Sequence, residues 1–151
     1  MQDCQNKLKD IGNQKDNTTK ILHNSIMQAL DRVKDEKKVC ITCRAKDKDI
    51  VESLLPQIKQ EFIEKMCNGE QREFDIVVGP MKQQKRTKEL DTEVDKEGWL
   101  HDSGCGGVII CAHGDEIKVN NTLEKRLDTC FSDMIPLFRD ILFAQDKKPQ
   151  N

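Results

Sequence analysis

With 151 residues the chain suits one domain of ordinary size, or a smaller domain with an arm, and is too short for a multidomain enzyme. Charged residues reach 34% against 36% hydrophobic, with five Phe, one Trp and no Tyr, so the core is expected to be aliphatic and the surface heavily charged. A net charge of -2 excludes a general attraction to nucleic acid, and no apolar run approaches the ~20 residues that would insert into a bilayer.

Residues 1–36 read as a helical arm in two pieces. Cys4, Leu8 and Ile11 can share a stripe that Gly12-Asn13 and Lys15-Asp16-Asn17 interrupt, and the pattern resumes with Leu22, Ile26, Leu30 and Val33. One continuous helix of that length would span ~54 Å, more than a small domain needs for its own core. Over residues 1–20 two readings stay open, a partner-binding amphipathic arm and a local helix folded back on the sheet. The narrow stripe of Leu22, Ile26, Leu30 and Val33 is assigned to a seam with a partner helix. Residues 1–20 have no apolar centre of the signal-peptide kind, so the expected compartment is the cytosol.

The first strand is expected at 37–44, where Val39, Ile41 and Cys43 alternate with Cys40, Thr42 and Arg44. Asp47 can cap a helix over 47–66 in which Ile50, Leu54, Ile58, Phe62 and Met66 form an i,i+4 series. Pro56 lies inside that series and predicts a kink or a second helix start. Beyond Cys67-Asn68-Gly69 two stretches compete to be a strand. Glu89–Val94 alternates strictly and is the preferred one, which makes 69–87 an insertion and Phe74–Val78 an added edge strand.

Gly104-Cys105-Gly106-Gly107 turns the chain into a strand over 108–112. His113-Gly114-Asp115 then reverses it into 116–119, so these two strands should be adjacent and antiparallel. Asn121 is placed as the N-cap of the last helix, 121–143, with Glu124 reaching back in a capping-box-like arrangement. Leu123, Leu127, Cys130, Met134, Phe138 and Ile141 share a face of that helix and are expected to cover the sheet, with a bend at Pro136. Residues 145–151 are a polar tail, expected to be disordered.

The run Lys118-Val119-Asn120-Asn121-Thr122-Leu123-Glu124-Lys125-Arg126-Leu127, preceded by Gly106-Gly107-Val108 and followed by Met134-Ile135-Pro136 and Leu142-Phe143, resembles the carboxy-terminal part of the E subunits of V-type (vacuolar) proton ATPases. Gly106, Gly107, Asn121, Thr122, Leu123, Glu124, Arg126 and Leu127 carry the motif, and the likeness thins back to about Ile21. The resemblance also aligns Val94 to Leu100 with the end of a family strand and an aromatic-Leu pair. It implies a peripheral-stalk (stator) subunit that holds the ATP-driven head against rotation in a proton-pumping complex, peripheral on the cytosolic face of the membrane. It further implies an arm pairing with a second, G-type stalk subunit, and a head binding the catalytic hexamer of A-type and B-type subunits. In the family the arm is much longer, so here it is expected to be truncated or naturally short.

Residue types that could carry chemistry are present, and their spacing argues against each case. No Gly-x-x-x-x-Gly-Lys-Ser/Thr sequence occurs, and the glycine run precedes a strand, not a helix, so no phosphate cradle is expected. Cys40-x-x-Cys43 with Cys105, Cys111 and His113 supplies soft ligands for zinc, yet Cys40 and Cys43 should point to opposite faces of a strand. A cysteine nucleophile at Cys105 or Cys111 with His101 or His113 lacks a visible orienting group. The seven cysteines are odd in number and without framework spacing, so most are expected as reduced thiols acting as small apolar residues. The sequons at Asn17 and Asn120 then carry no meaning. Lys82, Lys85, Arg86 and Lys88 have no interleaved aromatics and read as a solvated loop.

The expected fold is α+β: a small antiparallel or mixed sheet of about four strands packed by the helices at 47–66 and 121–143, forming a head over 37–144, with an amino-terminal helical arm over 1–36. The expected function is structural, without cofactor or catalytic residues. The alternative is a small thiol- or zinc-dependent enzyme or sensor.

Overall fold

The computed structural model describes residues 2–66, 74–82, 90–114 and 116–143. β1 (Lys38–Thr42) lies beside β2 (Asp75–Val78) on one side and β3 (Gly107–Ala112) on the other, and β4 (Ile117–Thr122) completes a mixed sheet in the order β2-β1-β3-β4. The β3–β4 hairpin turns at His113 and Gly114, with φ of 50° and 63°, as the glycine there predicts. β1 and β2 are parallel, so a crossover must join them, and α3 (Lys48–Met66) supplies it. The edge strand expected near 74–78 is therefore present, although the flanking 69–73 and 83–87 of the expected insertion, and the tail 145–151, lie outside the described residues. α3 passes through Pro56 without a second start. Pro56 is exposed on its solvent face.

Alternation along the strands divides the core in two. Val39, Ile41, Val108, Ile110 and Ala112 face α3, through Val51, Leu54, Ile58 and Phe62, and α2 (Lys15–Arg32), through Leu22, Ile26, Ala29 and Leu30, with Val33 just past its end. On the reverse face Ile109, Cys111 and Cys40 meet Met81, Leu90, Val94 and Leu100, which the irregular segment between β2 and β3 lays across the sheet.

This packing corrects three expectations. Two helices do cover the sheet, but they are α3 and α2; α4 (Leu123–Phe143) fully buries only Leu123. Met134, Ile135, Leu137, Phe138, Ile141, Leu142 and Phe143 are 43–72% exposed. A four-stranded sheet is roughly 19 Å wide and admits about two helices of 10 Å diameter on one face, and α2 has taken the second place. Leu22, Ile26, Leu30 and Val33, assigned to a partner seam, are at most 3% exposed and belong to this chain's own core. The boundary at residue 36 accordingly does not separate an arm from a head. The amino-terminal arm is α1 (Gln2–Asn13), set off from α2 by the extended backbone of Gln14, where the interrupted stripe predicts a break.

The third correction concerns 89–94. Leu90–Thr92 forms a short 3-10 turn and Val94 makes a single bridge to Leu100, so the alternation there is no strand; Glu89 lies outside the described residues. Leu90 and Val94 are buried while Thr92 is exposed, a four-residue spacing that a helical turn satisfies. Asp95 Oδ1 then accepts the backbone N–H groups of Glu97, Gly98 and Trp99 at 2.8–3.0 Å and turns the chain back to Leu100.

Candidate functional site

The run from β4 into α4 is held by a set of short polar contacts. Asn120 Oδ1 accepts the backbone N–H of Thr122 at 3.0 Å and its hydroxyl at 2.9 Å, while Asn120 Nδ2 donates to Glu93 Oε2 at 2.8 Å. Thr122 Oγ1 accepts the Lys125 N–H at 3.3 Å, the bond of an N-cap to the third helical residue. The cap is thus Thr122 and not Asn121. Asn121 still belongs to its strand, and its Nδ2 donates to the Ser25 carbonyl at 2.7 Å, tying β4 to α2. Glu124 does not complete a capping box, because its Oε1 accepts the backbone N–H of Cys105 instead.

That bond anchors the glycine turn, and the backbone geometry accounts for Gly106 and Gly107. Their φ values of 108° and 101° lie where side chains are disfavoured. A Cβ on Gly107 would lie 2.7 Å from the Asn121 carbonyl oxygen and Thr122 Cα; one on Gly106 would lie 3.0 Å from Arg44 Nη2. The Gly106 carbonyl accepts the Leu123 N–H at 2.9 Å, so the turn and the helix start fix each other. Beneath them lies Arg44, 1% exposed, donating from Nε to Asp47 Oδ2 at 2.5 Å and from Nη1 to the Gly104 carbonyl at 3.0 Å. Arg44, Glu93, His101, Gly104, Thr122 and Glu124 surround a small cavity of about 190 Å³.

The motif therefore gathers Gly106, Gly107, Asn121, Thr122, Leu123 and Glu124 into one junction, and leaves Arg126 and Leu127 outside it. These two, with Leu8, Ile21, Met27 and Cys130, line an open groove of about 520 Å³ between α1, α2 and α4. Arg44, Glu93 and Ser25 belong to the junction without standing out in the sequence. Arg44-x-x-Asp47 has the i,i+3 spacing of an ion pair and is the one available signal, whereas the bonds from Glu93 and Ser25 depend on tertiary approach.

Two of the buried thiols, Cys43 and Cys105, serve packing. Burial pushes Cys43 up to about 12, with the Asp47 carboxylate adding to the effect, and pushes Cys105 up to about 11, with Glu124 adding to it. Both are protonated at neutral pH and poor nucleophiles. Cys40 and Cys43 pack into separate apolar clusters, and among the described residues no three or more His, Cys, Asp and Glu side chains converge as a metal site. Nor is any helix among the described residues long and apolar enough to cross a membrane.

Among the described residues, buried polar groups bind the domain's own segments together, and most of the exposed large apolar side chains lie on α4. A profile of the family described as "ATP synthase (E/31 kDa) subunit" matches residues 1–143. The chain belongs to that family. It is 31% identical over 133 residues to the V-type proton ATPase E2 subunit of Arabidopsis thaliana, covering 85% of this chain and 52% of that protein. It is 33% identical over 124 residues to the V-type proton ATPase E subunit of Caenorhabditis elegans, covering 82% and 46%, and 28% identical over 153 residues to that of Dictyostelium discoideum, covering 95% and 57%. The chain spans about half the length of these curated relatives.

Proposed function

We propose that the chain acts as a non-catalytic peripheral-stalk subunit of a V-type proton-pumping ATPase, on the cytosolic face of the membrane, where it holds the catalytic head against rotation. Membership of the family supports the choice of complex. The observation that supports the structural role is the face of α4 from Met134 to Phe143, where seven large apolar side chains are exposed, with the half-buried Leu127 and Phe131 continuing it toward the helix start. Leu127, Phe131, Met134, Phe138 and Ile141 follow one another at steps of four, three, four and three, the repeat of a two-helix seam.

On this reading a second, G-type stalk subunit lays a helix along α4 and the groove beside α1. The contact with the A-type and B-type subunits of the hexamer falls to the rest of the domain. The seam shifts accordingly from residues 22–33 to residues 127–141. Affinity capture of the tagged full chain from cells, followed by identification of co-purifying ATPase subunits, tests the proposal. Recovery of the G-, A- and B-type subunits is expected; their absence, where a tagged full-length relative of the same family retrieves them, would overturn it.

A further inference from the structure

The register of the sheet sets Cys40 of β1 directly opposite Cys111 of β3. Directly opposed residues on antiparallel strands project to the same face, with Cα atoms about 4.5–5.5 Å apart, inside the roughly 4.4–6.8 Å that a disulfide spans. Both residues are reduced in the structure, and both belong to the apolar cluster on the reverse face of the sheet. Their neighbours differ in a way that matters. Cys40 is half-buried beside the edge strand, and Gly79, whose carbonyl lies 3.9 Å from its sulfur, carries no side chain there; a Cβ at Gly79 would sit 3.8 Å from Cys40 Sγ. Cys111 is buried and has Lys118 as its register partner on β4. Thiol oxidation needs contact with the oxidant, which the half-buried Cys40 has and the buried Cys111 lacks until the two sulfurs join.

We propose that Cys40 and Cys111 form a reversible dithiol–disulfide site, oxidised by a peroxide and linking β1 to β3. Cys40 sulfur, the more accessible, attacks one oxygen of hydrogen peroxide; the O–O bond breaks, the other oxygen leaves with protons as water, and Cys40 becomes a sulfenic acid. Cys111 sulfur then attacks the Cys40 sulfur, the S–O bond breaks, and the hydroxyl leaves as water with the Cys111 thiol proton. Two thiols and one peroxide thus give one disulfide and two waters, the sulfurs losing the two electrons that the peroxide gains. A small dithiol reverses the step by exchange. The site is independent of the stalk reading and would stand without it.

The test is limited oxidation of the folded full chain with hydrogen peroxide, then alkylation in denaturant and peptide mapping. The proposal expects loss of two of the seven thiols, a decrease of about two mass units per chain, a peptide joining Cys40 to Cys111, and full reversal by dithiothreitol. Cys40→Ser should lose the cross-link, while the Cys4→Ser and Cys130→Ser double variant keeps it. Because the mapping is done on the wild-type chain, a variant that fails to fold does not protect the proposal. Cys40 and Cys111 both still alkylated after oxidation, or either one joined to a different cysteine, would overturn it.

Discussion

Arg44 and Asp47 form an ion pair with almost no access to water: their side chains are 1% and 6% exposed, and Nε lies 2.5 Å from Oδ2. The pair sits at the end of β1 and just ahead of α3, with the guanidinium also bonded to the Gly104 carbonyl. It joins the first strand and the crossover helix to the glycine turn that starts β3. Removing one partner leaves a buried charge without compensation, which costs about 3–5 kcal/mol, whereas replacing both by apolar residues of similar volume is far milder. Asp47→Ala should therefore lower the unfolding free energy by ~3–5 kcal/mol, and Arg44→Met with Asp47→Leu should recover much of that loss. Urea melts of the three proteins check this; an Asp47→Ala chain as stable as wild type would remove the pair from the framework.

The caps can be separated by substitution. Thr122→Ala removes the hydroxyl that accepts the Lys125 N–H and should cost ~1–2 kcal/mol, while Thr122→Ser keeps an oxygen in place. Asn121→Ser should cost about 1 kcal/mol, as much as Asn121→Ala, because serine is a good cap but too short to reach the Ser25 carbonyl. If Asn121→Ser matched wild type in denaturant melts, Asn121 would be acting as the cap after all.

Those two residues show where sequence reading succeeds and where it stops. Alternation locates β1 and the i,i+4 series of Ile50 to Met66 locates α3, because burial on one face writes itself into the spacing of apolar residues, while the glycine turns at 104–107 and 113–114 frame β3 and β4. Spacing records that a face is apolar; it does not record what covers it. Both Leu22–Val33 and Leu123–Ile141 carry an apolar stripe, and only the width of the sheet and the path of the chain decide that the first enters the core and that the second is exposed from Met134 onward. The expected cap lies one residue from the actual one because Asn121 and Thr122 are both competent, and the choice rests on β4 continuing to Thr122. Arg44 is invisible in the sequence as a core residue, since arginine is seldom buried without a partner and its partners come from Asp47 and the distant Gly104. The pairing of Cys40 with Cys111 needs the strand register, which no separation along the chain reveals.

Alkaline pH should expose the buried thiols. Cys43 is raised in the folded chain from its ordinary 9.0 to about 12, and a group held protonated by folding contributes stability that is complete below its unfolded value and disappears as pH rises through the folded one. Stability should therefore decline between about pH 9 and about pH 12, and Cys43→Ala should flatten that limb relative to wild type even if it lowers the plateau. Unfolding melts across that range check the slope. In native protein at pH 8, the exposed Cys4 and Cys130 should react with iodoacetamide well before Cys43 and Cys105.

The sharpest prediction exchanges the two helices between core and seam. Ile26 and Leu30 have no exposed surface and belong to the same buried cluster as Ile110 and Val39, so truncating either to alanine should cost ~2–5 kcal/mol through lost transfer energy and the cavity left behind. An aspartate at either site would bury an unpaired charge and should unfold the domain. Phe138 and Ile141 are 44% and 72% exposed, so Phe138→Asp with Ile141→Asp should leave the melting of the isolated chain within about 0.5 kcal/mol of wild type, as expected for surface substitutions. The same double variant should abolish binding of a G-type stalk subunit, because the charges fall on the proposed seam. Measuring helix content by circular dichroism when the two proteins are mixed separates the effects: wild type should gain helix beyond the sum of its parts, and the α4 variant should not. If Phe138→Asp with Ile141→Asp unfolds the isolated chain, α4 is a core helix; if it folds and still binds, the seam lies elsewhere and the role proposed for this face is wrong.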